Sequence, residues 1–348
     1  MKILLIALSG AGDVLMATPL LHELRRNYPK AKIDVLVQQG QITEDILKHN
    51  PDTNKVILFN FLKQGTPRSL LFCYNLRKEK YDLSITLYPQ ARYHYTGISF
   101  LIGAKKRIGF HYQSQPLNLN SLFYHNVLYE DLNKHVVENN LKILEALNIL
   151  QKRKPKLHLH LKKINENFAT KFLKKNKIKK PVVIHAGSGT MKNFTSKRWP
   201  LSRFAELAKK LVFKQKAQVI LAGGPDEALL KQTLIHQSGL IPGKQIFDLD
   251  TNINNTAAIM KKSKLVISND TVIAHLAAAV GTHVIALFGP TEATHTGPFT
   301  EKATLLSKRP SAIKPYQHGA KRITHAQAQT MKLISVQDVL DEAKKILN

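Results

Sequence analysis

KILLIALSGAGDV, residues 2–14, decides the fold. KILLIAL is an unbroken apolar run, the pattern of a parallel strand buried on both faces. Gly10 and Gly12 then make a tight turn, and a helical stretch follows with Leu20, Leu21 and Leu24 on one side. Pro19 lies inside that stretch, so the helix either kinks there or begins there. A buried strand, a glycine turn and a helix are the opening of an α/β unit with a doubly wound sheet. The run is too short for a signal peptide's core, and Asp13 follows at once. No stretch approaches the roughly 20 apolar residues that span a bilayer.

Working outward, KIDVLVQQ (32–39) and DLSITL (82–87) read as further strands. YPQARYHYTG (88–97) is a polar, aromatic segment, and HVVENNLKILEALNI (135–149) a helix. The composition breaks at QKRKPK (151–156). LHLHL (157–161) then alternates with period two, placing His158 and His160 on one side of a short strand. Two such histidines without a nearby Cys or carboxylate cluster make a poor metal site. Beyond the break the βα rhythm resumes in PVVIHAG, LSRFAELAKKLVF, AQVILAGG, QIFDL, KLVISND and THVIALFGP. The segmentation is therefore an N-terminal domain 1–155 and a C-terminal domain 156–335. A last helix, 336–348, is free to pack back on the first domain.

Charge is unusual. The 348 residues carry +28. Residues 1–150 hold 18 Lys/Arg against 12 Asp/Glu, and residues 151–348 hold 34 against 12. Such a field favours polyanionic partners: nucleic acid, anionic lipid or phosphorylated glycans. One cysteine, Cys73, excludes an internal disulfide and fits a reducing, cytoplasmic setting.

Ligands of open α/β sheets bind beyond the carboxyl ends of the strands, so the loops there carry the chemistry. The first loop fails as a dinucleotide site. Leu15 stands where a third Gly or Ala belongs, and Asp13 puts a carboxylate against a would-be pyrophosphate. Asp13 fits two roles, a helix N-cap or a general base. HAGSGTMKNFTSKRWP (185–200) offers Ser188, Gly189, Thr190, Lys197 and Arg198 with no acid, which suits a diphosphate or a plain basic loop. SNDTVIAHLAAAVG (268–281) opens a helix at Asp270 and Thr271, with His275 one turn in.

Together these loops resemble glycosyltransferase family 9, the bacterial ADP-heptose:lipopolysaccharide heptosyltransferases. The matching stretches are SGAGDVLMATP, KRWP, AGGPDE and SNDTVIAHLAAAVGTHVIALFGPTEATHTGP, in order across nearly the whole chain. The resemblance implies a GT-B fold, two Rossmann-like doubly wound domains facing across a cleft, acceptor on the first and nucleotide sugar on the second. It implies Asp13 as catalytic base and Lys197 on the donor diphosphate, with Ser188, Gly189 and Thr190 beside it. Asp226 or, preferably, Glu227 would contact the ribose, and Asp270, Thr271 and His275 would hold the donor. Gly12, Arg92, Lys105 and Arg107 are the candidates on the acceptor side.

The expected reaction is inverting transfer of heptose from ADP-heptose to the anionic lipopolysaccharide inner core, with no metal or other cofactor. The enzyme would work on the cytoplasmic face of the inner membrane, in peripheral contact with it. The family commonly reads Asp-Thr-Gly where this chain has Val272, which keeps a different nucleotide sugar open. A nucleic-acid binder is the charge-based rival, but aromatics are only 7% and no recognition motif is present. A nicotinamide oxidoreductase is disfavoured by Asp13 and Gln39.

Overall fold

The computed structural model describes residues 1–38, 40–115, 119–189, 191–316 and 322–348, apart from the side chains of residues 41 and 191–193. The chain divides into two compact units, Met1–His160 and Leu161–Asn348.

The first unit is one parallel sheet of β1 (Lys2–Ala7), β2 (Lys32–Gln38), β3 (Lys55–Phe59), β4 (Leu83–Thr86), β5 (Lys106–His111) and β6 (Asn126–Tyr129). Its spatial order is β3-β2-β1-β4-β5-β6. The helices are α1 (Ala11–Met16), α2 (Thr18–Asn27), α3 (Gln41–Leu47), α4 (Gly65–Arg77), α5 (Tyr93–Ile102) and α6 (Val136–Ala146). Right-handed crossovers put α4 and α5 on one face and the others on the opposite face. Both faces of β1 are thus covered, which is why Ile3 to Ile6 are all apolar and buried.

The helix after the glycine turn is split. α1 ends at Met16, and α2 starts at Thr18 with Pro19 in its first turn, where the missing N–H costs nothing. The second half of the polar, aromatic segment, from Tyr93 on, begins α5. Arg92 caps it, and Gly103 closes it in the left-handed region at φ 66°. Cys73 is buried on the sheet-facing side of α4, and that burial pushes its thiol up to about 11.

LHLHL forms no strand. Its His158 N–H donates to the Thr18 hydroxyl (2.9 Å), so the segment is an extended strap over α2 rather than a rung of a ladder. His158 and His160 do share a side: their rings stack at 6.4 Å, and His158 stacks on His22 at 4.2 Å. Among the described residues no group of three or more His, Cys, Asp or Glu could hold a metal ion.

The second unit repeats the plan with β7 (Pro181–His185), β8 (Gln218–Leu221), β9 (Ile246–Asp248), β10 (Leu265–Asn269), β11 (Val284–Phe288) and β12 (Ala303–Ser307). The order is β12-β11-β10-β7-β8-β9, so again the first strand lies beside the fourth. Around it lie α7 (Lys163–Lys175), α8 (Leu201–Gln215), α9 (Ala228–Ser238), α10 (Ile253–Lys261), α11 (Val272–Ala279), α12 (Ala293–Thr296), α13 (His325–Gln329) and α14 (Val336–Leu347). α14 packs on α8, and its Val336, Val339, Leu340, Ala343 and Leu347 join the core around Trp199 and Phe204. The C-terminal helix therefore spends its apolar face within the second unit, in contrast to the expected return to the first. Among the described residues no helix is long and apolar enough to cross a membrane.

In each sheet the winding reverses between the first and fourth strands, at β1/β4 and at β7/β10. The crevice beyond those strand ends is where such sheets bind ligands.

Candidate active site

At the β7/β10 reversal, Asn269 holds three segments together. Its amide donates to the carbonyls of Ala186 (2.9 Å) and Gly187 (3.0 Å), and its oxygen accepts the Trp199 N–H (3.0 Å). Trp199 is buried and donates its indole N–H to Ile334 (2.9 Å). This anchor presents Lys197, two residues earlier, to the start of α11. The Lys197 ammonium meets Asp270 Oδ2 at 2.6 Å and lies 4.6 Å above the Phe194 ring. The Thr291 hydroxyl donates to the same carboxylate oxygen at 2.8 Å. Burial acts to raise the Asp270 pKa, but Lys197, Thr291 and His275 outweigh it and hold the carboxyl below its ordinary range.

A second network lies beside the first. His185, the last residue of β7, places Nε2 3.0 Å from Glu227 Oε2 and Nδ1 3.2 Å from the Thr271 hydroxyl. A neutral imidazole satisfies both by donating to Glu227 and accepting from Thr271. Glu227 is buried, and its carboxylate occupies the space that Gly187 and Gly223 leave: a Cβ on Gly187 would overlap it. Burial works against its charge, yet His185, a backbone N–H of the Gly224 turn and Arg198 keep its pKa below the ordinary value. Asp226, the other acid expected from the sequence at the ribose, is exposed.

The loop residues divide. Ser188 donates to the Phe194 carbonyl (2.9 Å) and accepts from Arg198 Nε (3.0 Å), so both side chains brace the loop. Gly189 follows in that loop, and Thr190 lies outside the described residues. His275 is buried in α11 behind Asp270.

In the first unit, the β1/β4 reversal brings together Gly10–Asp13 and the loop 87–92. Asp13 accepts the Gly10 N–H at 3.2 Å, a capping contact, with Gly12 beside it in α1. Gln90 ties the two loops, accepting from the Leu8 N–H (2.6 Å) and donating to Ile6 (3.2 Å). The phenols of Tyr88 and Tyr95 are pushed up by burial first and by the Asp13 charge among lesser causes, so both feel that carboxylate. The Tyr88 hydroxyl donates to buried Glu130 at 3.0 Å. Arg92 caps α5 on this same edge.

Lys105 and Arg107 do not join this group. β5 begins at Lys106, so both stand at the amino edge of the parallel sheet, opposite Asp13. Lys105 pairs with Asp82 at 2.8 Å, and Arg107 donates to the carbonyls of Phe123 (2.7 Å) and Ala104 (2.9 Å).

The sequence reading passed over His185, Asn269, Thr291, Tyr88 and Glu130. His185 and Asn269 carry a readable signal, since each is a polar residue ending a mostly apolar strand at a winding reversal.

The chain is similar to known proteins in both sequence and fold. Lipooligosaccharide heptosyltransferase 2 of Haemophilus influenzae is 26% identical over 324 residues, covering 88% of each chain. The structure of the Escherichia coli ADP-heptose lipopolysaccharide heptosyltransferase II superposes with a TM-score of 0.75 at 21% identity, covering 100% of this chain and 98% of that one. The E. coli heptosyltransferase WaaC with ADP gives 0.73 at 20% identity, covering 99% of each. The model of glycosyltransferase family 9 (heptosyltransferase) matches residues 71–326, well over half of the sequence. The chain belongs to that family and is a glycosyltransferase.

Proposed function

We propose that this protein moves a heptose from ADP-heptose to an anionic lipopolysaccharide core acceptor in one inverting displacement. The carrying observation is the Lys197–Asp270 contact at the β7/β10 reversal, in a chain of this family. An ammonium has three N–H donors, and Asp270 takes one, leaving others for diphosphate oxygens. Among the described residues, Lys197 and Thr291 both donate to Oδ2 of Asp270, and Oδ1 suits a sugar hydroxyl. Glu227, kept ionised by His185, suits two ribose hydroxyls, and Thr271 with the α11 N-terminus favours anionic oxygens.

In the first unit, Asp13 takes the proton of the acceptor hydroxyl as its oxygen attacks the anomeric carbon. The bond from that carbon to the phosphate oxygen breaks, and its electron pair leaves with ADP. Lys197 and the helix N-terminus stabilise that charge without a metal ion. The acceptor's own charge agrees with the +28 of the chain and with peripheral work at the cytoplasmic face of the inner membrane.

Val272 favours keeping a second reading, a different nucleotide sugar. It begins α11 with a partly exposed side chain where the family has glycine, narrowing the approach to the helix N-terminus. Incubation with ADP-heptose and truncated lipopolysaccharides of graded length, read by mass spectrometry, tests the proposal. A heptose added to one truncation, unaffected by EDTA, supports it. Transfer from another nucleotide sugar only would select the second reading.

A further inference from the structure

α4 has two apolar stripes where a surface helix of a globular domain has one. Phe72, Cys73 and Leu76 face the sheet and join the core beneath. Leu70, Leu71 and Tyr74, at positions i, i+1 and i+4, face outward and are 48%, 59% and 57% exposed. The neighbouring α5 does the same: Ile98 and Ile102 pack inward, while Phe100 and Leu101 are exposed. Folding leaves this second stripe uncovered, and contiguous exposed apolar surface with a polar rim marks an interaction site.

The rim is basic. The carboxyl ends of α4 and α5 meet around a hollow of about 400 Å³ whose lining includes Tyr74, Arg77, Lys78, Lys80, Gly103 and Lys105. Arg77 lies against Gly103, and Lys78 sits 4.6 Å over the Tyr74 ring. Lys105 is paired with Asp82, but Arg77, Lys78 and Lys80 have no carboxylate partner among the described residues. Among the described residues no acid lines the hollow. Apolar side chains beside unpaired cations match an anionic lipid surface in both of its parts, acyl chains and phosphate headgroups. A soluble polyanion would use the cations and leave the leucines in water.

We propose that the α4–α5 face of the first unit docks this protein on an anionic phospholipid bilayer. The basic stretch 151–180 adds long-range attraction, with twelve Lys/Arg and one acid, but the apolar contact belongs to α4 and α5. α5 runs from Arg92, on the Asp13 edge of the sheet, to this hollow. The hollow thus stands at the sheet edge opposite Asp13, and the passage of a lipid-anchored acceptor from the docked face along α5 to the site rests on the proposed function.

The test is co-sedimentation of the full chain with vesicles of phosphatidylglycerol and phosphatidylethanolamine, against vesicles of phosphatidylcholine alone. Binding to the anionic vesicles only is expected. Leu70→Ser with Leu71→Ser, and separately Lys78→Glu with Lys80→Glu, should each weaken it by roughly tenfold or more. Lys174→Glu with Lys175→Glu should weaken it less. These side chains are exposed, so thermal midpoints should stay near the parent's. In Leu71→Trp, the new indole should shift to shorter emission wavelength on vesicles, over a constant background from buried Trp199.

Full binding by both doubles, or no spectral shift while the protein sediments, would overturn the proposal. So would a dimer in light scattering that Leu70→Ser with Leu71→Ser dissolves, since the face would then meet a second copy. Vesicle binding without sugar transfer would sink the heptose reading and leave docking intact. Transfer to a water-soluble acceptor without vesicle binding would do the reverse.

Discussion

Lys197 and Asp270, far apart in sequence, form a 2.6 Å ion pair with most of both side chains out of water. Removing one partner strands the other. Lys197→Ala should cost ~3 kcal/mol of stability, because it leaves a buried carboxylate unpaired. It should also weaken donor binding and turnover together. Lys197→Ala with Asp270→Asn should recover much of the stability in denaturant melts but none of the turnover. Unchanged ADP affinity in the single variant would refute the diphosphate contact.

Asp13 stands on the other unit, and its change should leave the nucleotide alone. Asp13→Ala is expected to lower transfer by about 10²–10⁴-fold, the range for a lost general base. ADP affinity by calorimetry should stay near the parent's. Collapse of ADP binding would reassign the residue to the donor.

His185 touches Glu227 and Thr271, so it is a positioning residue for both. The parent should prefer ADP over 2′-deoxy-ADP, and Glu227→Gln should erase that preference. His185→Phe should reduce it roughly tenfold by freeing Glu227 to move, at about the strength of one charge-assisted hydrogen bond. A His185→Phe variant that melts early yet keeps full ribose discrimination would make the histidine purely structural.

Arg107 is bound to the Phe123 and Ala104 carbonyls at the far edge of the first sheet. Arg107→Ala should lower stability by ~1–3 kcal/mol through two lost charge-assisted bonds. Acceptor KM should not change. A raised KM at unchanged stability would restore the acceptor role expected from sequence.

The His22–His158–His160 stack gives a pH dependence. Burial first, then the neighbouring His22, depress His158 from 6.5 to about 4, and burial lowers His160 too. Between those values the unfolded chain binds more protons than the folded one, so stability rises with pH across the window. The melting midpoint should fall as pH drops from 6.5 towards 4, and His158→Phe should shrink that fall. An identical fall in the variant would assign it to other groups.

The α/β class, both doubly wound halves and the loops at the two winding reversals were legible in the sequence. Buried parallel strands must be apolar on both faces, as in KILLIAL and PVVIH, and ligand loops must follow them. Asp13, Lys197, Glu227 and Asp270 were singled out because each sits in such a loop, and the structure brings Lys197 to Asp270. Local pattern failed where the partner is remote. LHLHL alternates like a strand, but the Thr18 hydroxyl takes its N–H and makes it a strap. Arg107 looks like a free cation until the carbonyls of Phe123 and Ala104 claim it. His185 looks like one more core residue until Glu227 and Thr271 arrive from two other strands' ends. Periodicity is set by neighbours along the chain, so the sequence alone determined it, whereas the pairing of β1 with β4 and of β7 with β10 joins segments about 80 residues apart. Which side chain meets which across a winding reversal depends on segments tens of residues apart, and only the tertiary structure decided that.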